Sequence, residues 1–181
     1  IDQIFPNYEV ILVTGFYADK VMNRTPSSVI KIENENFLET NVVRSIGLGL
    51  RAASHENEVV IYGDLVFNKP MLNAPFDLDS MLITCSTMNE DEIGCISRDG
   101  YILNMFYELP NKWGQIVYLT GKELELMKRI AWNRDNGKMF GYEALNLILD
   151  QGGKIKEHKP KAGKAIDIDS SKDIAKAELL I

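Results

Sequence analysis

The feature that most restricts the fold is a set of short, uninterrupted apolar runs, each closed by a glycine or a polar residue and spaced by helix-length segments. The run in "YEVILVTGF" (Tyr8 to Phe16) closes at Gly15, and "EVVIYGD" (Glu58 to Asp64) closes at Gly63 and Asp64. Runs without polar alternation are covered on both faces, as parallel strands flanked by helices are. "SSVIKIEN" (Ser27 to Asn34) reads as another strand after the turn signal "NRTPSS". "ETNVVRSIGLGLRAAS" reads as a helix capped by Thr40 or Asn41, in which Gly47 and Gly49 imply close packing on a neighbour.

Downstream, "SMLITCST" (Ser80 to Thr87) and "GQIVYLT" (Gly114 to Thr120) are further apolar strands. Between them, Glu92 to Leu109 alternates around "RDG", a hairpin signal. "GKELELMKRIAWNRD" and "YEALNLILDQGG" are helices, the second stopped by Gly152 and Gly153. "GKIKEHKP" reads as a strand or extended edge, and "KAIDIDSSKDIAKAELL" as a short strand followed by a helix starting at Ser170 or Ser171. The expected class is α/β: a three-layer, mostly parallel, Rossmann-like sheet with an inserted antiparallel hairpin.

Length and charge narrow the function. At 181 residues the chain suits a single domain, residues 1–181. A formal net charge of −6 speaks against nucleic acid as a partner, because no overall positive field draws in phosphates. Cys85 and Cys95 are too few for a disulfide framework and lack companions for a zinc site, so a reducing cytoplasm is the expected setting. No apolar run is long enough to span a bilayer, and no membrane partner is expected.

In open α/β sheets ligands bind beyond the carboxyl ends of the strands. Asp64 lies at such an end, and Gly63 permits close approach to the backbone. Asp167 and Asp169 in "AIDID" share one strand face. Carboxylates converging from separate strands suit Mg²⁺, a hard cation that shares its shell with substrate phosphates. Spacing alone leaves a plainer alternative open, in which Asp64 is a loop residue and Asp169 a favourable charge at a helix start.

The segments "EVILVTGFYADKV", "NENFLETNVVRSIGLGLRAA", "VVIYGDLVF" and "AIDIDSSKDIAKAEL" occur in an order that resembles the sugar-phosphate nucleotidyltransferases, nearest the small choline-phosphate cytidylyltransferase-like branch. The resemblance implies that Asp64 and Asp169 hold the catalytic Mg²⁺, with Asp167 as a helper. It implies that Thr40, Asn41, Ser45 and Gly63 lie near the nucleotide, and that Tyr142 and Glu143 face the acceptor. The implied substrates are a nucleoside triphosphate and a small phosphorylated acceptor, with pyrophosphate released. The family also opens with a strand and a glycine-rich "LAAGxGxR" loop that grips the triphosphate, and the sequence from Ile1 shows neither. The expectation is therefore a family fold lacking its first strand, in a chain incomplete at its N-terminus.

Two rival readings come from other classes. One is a truncated, non-catalytic binding or assembly module of the same fold. The other is a nucleotide-sugar glycosyltransferase, whose "DxD" metal motif is imitated by Asp167 to Asp169 but placed at the wrong end of the chain. The basic stretch Lys154 to Lys164 reads as a solvated edge strand in preference to a phosphate-steering patch. His55 and His158 read as surface residues, both cysteines as buried and inert, and Tyr62, Phe106, Trp113 and Trp132 as packing residues.

Overall fold

The computed structural model describes residues 8–76 and 78–180. The expected domain bounds at Ile1 and Ile181 lie outside them. Ten strands are formed by the described residues: β1 (Ile11–Thr14), β2 (Ile30–Glu33), β3 (Asn57–Ile61), β4 (Leu65–Phe67), β5 (Met81–Thr84), β6 (Ile93–Arg98), β7 (Tyr101–Tyr107), β8 (Asn111–Thr120), β9 (Lys156–His158) and β10 (Ala165–Asp167). The helices are α1 (Ala18–Arg24), α2 (Val42–Ala52), α3 (Gly121–Trp132), α4 (Gly141–Asp150) and α5 (Ser171–Ala177).

Six strands form the main sheet in the order β3-β8-β5-β9-β7-β6, with β8 also reaching β6 at its start. β1–β2 and β5–β9 pair in parallel. The β3–β8, β5–β8 and β6–β7 pairs are antiparallel, so the α/β sheet is mixed, and its hairpin extends into a longer antiparallel section than the apolar runs suggested. The "RDG" turn behaves as expected: Asp99 and Gly100 both take positive φ, at 53° and 80°, which matches the twist of the flanking strands.

β8 is the spine. Its central residues are buried on both faces: Val117 and Leu119 join a core with α2, α3 and α4, while Ile116 joins a second core with Leu65, Met71 and Ile83. Two-sided burial explains the absence of polar alternation in "GQIVYLT". The helical layer is drawn tight at Gly47, where a Cβ would lie 2.5 Å from the backbone oxygen of Ala131 in α3. The close packing inferred for that glycine is thus present, and Asn41 caps α2 by accepting from Val42 N at 2.8 Å.

β1 and β2 form a separate ribbon. It rests on α2, with Val13 beside Gly49. The opposite face of the main sheet carries a second small ribbon, β4–β10, in which Asp167 stands opposite Leu65. Neither α1 nor β4 was anticipated: each is short, and β4 follows β3 after only Tyr62, Gly63 and Asp64.

Three expectations need correction. "GKIKEHKP" is no edge: β9 lies between β5 and β7, Ile155 is fully buried, and Lys156 pairs with Asp79 at 2.6 Å. A long lysine stem lets an interior strand carry a cation out to the surface. Phe106 and Trp132 lie outside the core, being 56% and 40% exposed, although Phe106 packs on Tyr107 and Tyr142. Tyr62 and Trp113 do pack in the core, ring to ring at 5.2 Å. Both cysteines are buried and unpaired with each other. Among the described residues, no helix is long and apolar enough to cross a membrane.

Candidate active site

A cavity of about 1070 Å³ opens between the β1–β2 ribbon and the main sheet. One wall is the edge of β1, the other is β3, and α2 closes the base. At one end lie Gly63, Asp64, Glu92, Gln115, Asp167 and Asp169; Tyr107, Phe140 and Tyr142 also line it.

Backbone pairing brings the acids together. β10 runs antiparallel to β4, and Ile168 N donates to Asp64 O at 3.0 Å, which places Asp64 beside the Asp167–Asp169 segment. Glu92 enters from the other side, at the residue before β6. One carboxylate oxygen each from Glu92, Asp167 and Asp169 lie within 4.8 Å of one another. Asp64 stands next to this group, its charge raising the proton affinity of both Glu92 and Asp167.

Burial and mutual repulsion work in the same direction here. Desolvation, followed by the charges of Asp167 and Asp169, pushes Glu92 from 4.5 up to about 7. Asp167 is also raised, chiefly by desolvation, although Gln115 Nε2 donates to its Oδ2 at 2.7 Å and partly offsets the effect. Gln115 holds a positive φ of 54° within β8, directly after Gly114. For a non-glycine residue that backbone costs on the order of 1–3 kcal/mol, which the surrounding sheet must impose.

Several of the expected residues share this cavity. Asn41, Ser45, Gly63, Asp64, Tyr142, Asp167 and Asp169 all line the cavity. Thr40 and Glu143 do not. Thr40 is tied into the loop before α2, donating to Asn36 O at 2.8 Å and accepting from Asn34 Nδ2 at 3.0 Å. Glu143 turns back to accept from Phe140 N at 2.7 Å, closing the first turn of α4.

Residues without a sequence signal complete the site. Asn34, only 3% exposed, donates to both Thr40 and Ser45 and so orders the cavity-facing start of α2. Gln115 fixes Asp167. Tyr107, Phe140 and Tyr142 form an aromatic wall with ring centroids about 6 Å apart, Tyr107–Tyr142 at 5.9 Å and Phe140–Tyr142 at 6.1 Å. Glu92 sits in "NEDEIG", where a charged residue resembles any solvated turn.

The all-oxygen set of the acidic end fits a hard divalent cation and no softer metal. Asp167 Oδ1 is buried with no hydrogen-bond partner, which is what a ligand atom awaiting a cation would show. Among the described residues that line the cavity there is no lysine or arginine.

No family model matches the sequence, and no curated protein matches it. Solved structures do. The inositol-1-phosphate CTP transferase from T. maritima matches with a TM-score of 0.72 and 19% identity, over 94% of this chain and 74% of that one. The CTP:phosphocholine cytidylyltransferase from Streptococcus pneumoniae matches with a TM-score of 0.69 and 13% identity, over 96% of this chain and 78% of that one. A nucleoside-diphosphate-sugar pyrophosphorylase from Vibrio cholerae matches with a TM-score of 0.67 and 11% identity, over 97% and 82%.

Proposed function

We propose that this chain, which has the nucleotidyltransferase fold, carries the site of an Mg²⁺-dependent transfer of a cytidylyl group from CTP to a small phosphorylated acceptor. The supporting observation is the meeting of Asp64, Asp167 and Asp169 at one end of the cavity.

An acceptor phosphate oxygen attacks the α-phosphorus, a new P–O bond forms, the bond to the β-phosphate bridging oxygen breaks, and pyrophosphate leaves. The acceptor phosphate is already ionised, so no general base is required. Mg²⁺ held by Asp64 and Asp169, with Asp167 helping, would supply charge neutralisation at the reacting phosphates. The chain itself positions. Gly63 has nothing within 4 Å of where a Cβ would stand, leaving room for a phosphate against the backbone. Ser45 and Asn41 present polar groups at the start of α2, and Thr40 contributes through Asn34 without facing the cavity. Tyr142 faces the acceptor side, and Glu143 supports it by fixing the turn of α4. The aromatic wall of Tyr107, Phe140 and Tyr142 suits a cationic head such as that of phosphocholine, through cation–π attraction.

A second reading, a non-catalytic binding or assembly module, is favoured by one observation. The cavity lining, among the described residues, lacks the basic side chains that commonly hold a triphosphate. Pyrophosphate release from CTP with phosphocholine, inositol phosphate or hexose phosphates, assayed in the protein completed by the N-terminal phosphate loop that the family resemblance implies, decides between them. Turnover with one acceptor, reduced roughly a hundredfold or more in Asp64→Asn, is expected for the enzyme. No release with any acceptor, or equal release by the variant, overturns the enzymatic reading.

A further inference from the structure

The acidic end of the cleft contains a carboxylate for which the proposed metal set has no use. Glu92 reaches it from the start of β6, a different part of the chain from β10, and its oxygen lies within 4.8 Å of oxygens on both Asp167 and Asp169. That spacing is about the width of a coordination shell, since hard divalent ions sit roughly 2.0–2.6 Å from each oxygen. None of the ion pairs formed among the described residues reaches these three groups: they join Lys128 to Glu125, Lys156 to Asp79 and Lys176 to Asp173.

Clustered acids alone say little, but two buried atoms beside them point the same way. Gln115 is 8% exposed, and its Nε2 is spent on Asp167 Oδ2. Its Oε1 is buried with no donor. Asp167, 9% exposed, likewise leaves Oδ1 without any partner. Leaving such atoms unmatched costs roughly 1–3 kcal/mol each, more for a charged one. A partly hydrated cation removes both deficits, because it offers positive charge to the carboxylate oxygen and water protons to the amide oxygen.

We infer that Glu92 is a further carboxylate ligand, which joins Asp167, Asp169 and the adjacent Asp64 in binding a hard divalent cation before any nucleotide arrives. The consequence is an order of assembly. A chain whose metal depends on the nucleotide's phosphates binds little cation alone, whereas this one is charged with its ion beforehand. The inference rests on the proposed metal role of Asp167 and Asp169, and goes beyond it in the added ligand and the order.

The probe is Mn²⁺ alone, titrated into protein without nucleotide and followed by the electron paramagnetic resonance of the free ion. The wild type should take up one Mn²⁺. Glu92→Gln should bind it roughly tenfold more weakly or worse, since even outer-shell partners of metal sites are worth that much. Asp91→Asn, an exposed neighbour outside the cluster, should bind as wild type. Circular dichroism of each variant separates lost binding from lost folding. If Glu92→Gln does not fold, Glu92→Asp serves, and should weaken binding by shortening the reach. Wild type without Mn²⁺ uptake, or Glu92→Gln binding as tightly as wild type, overturns the inference. Uptake without cytidylyl transfer would instead keep the site and remove the transferase.

Discussion

The two walls of the cleft are held by different means. On the acidic side, β10 is fastened along both edges. Thr87 Oγ1 donates to Ala165 O at 2.7 Å and accepts from Ala165 N at 2.9 Å, while Asn68 and Lys164 exchange bonds on the other side of β10. Beneath lies β8, with partners on both sides and two cores against its faces. The opposite wall is the β1–β2 ribbon, four residue pairs joined to the rest mainly by packing on α2 and by the hydrogen bonds of Asn34. The acids proposed to hold the metal sit on the fastened wall. The other has fewer hydrogen bonds to the rest of the molecule, which predicts that it opens more readily.

The largest expected contrast is in hydrogen exchange. Amides of β8 should open only with global unfolding, and those of β1 through local release of the ribbon, giving rates at least roughly a hundredfold faster in β1. Equal protection in both walls would end the distinction. Next, Leu119→Ala removes a fully buried side chain and should cost about 2–5 kcal/mol in urea unfolding. Val13→Ala, in the half-buried ribbon, should cost about 1 kcal/mol. A larger loss at Val13 than at Leu119 would mean that the ribbon, and not β8, anchors the molecule.

Thr87→Val keeps the shape but leaves Ala165 N and O unmatched, and about 1–3 kcal/mol should be lost. An unchanged midpoint would show that β10 is held by β4 alone. The remaining effect is on pH dependence, measured in chelator. Glu92 keeps its proton in the folded state up to about 7, against 4.5 for an ordinary glutamate. Between those values the native protein therefore binds more protons than the unfolded chain, and stability falls as pH rises. Replacing Glu92 with Gln should flatten that slope, and an unaltered slope would show that the carboxylate is well solvated.

Local patterns carried most of the elements. The cap at Asn41, the turn at Asp99–Gly100 and the stop at Gly152 each depend on neighbours in sequence, so they were legible. Asp64 and Asp167 were found by a rule about strand ends, without knowledge of their pairing. Thr40, expected near the nucleotide from the family resemblance alone, has its side chain turned into the loop before α2, which only the folded chain could show. Gln115 was invisible because one amide within an apolar run gives no hint that its backbone is forced to positive φ.

The sequence by itself determined the α/β class, the buried strands and the acids at their ends, because burial and backbone preference act over a few residues. Only the tertiary structure decided that β9 is interior, that Glu92 joins Asp167 and Asp169, and that β1 stands apart from β3 across an open cleft. Those outcomes depend on which distant strands pair. Pairing is settled by the packing of whole layers and leaves no mark on any short stretch of chain.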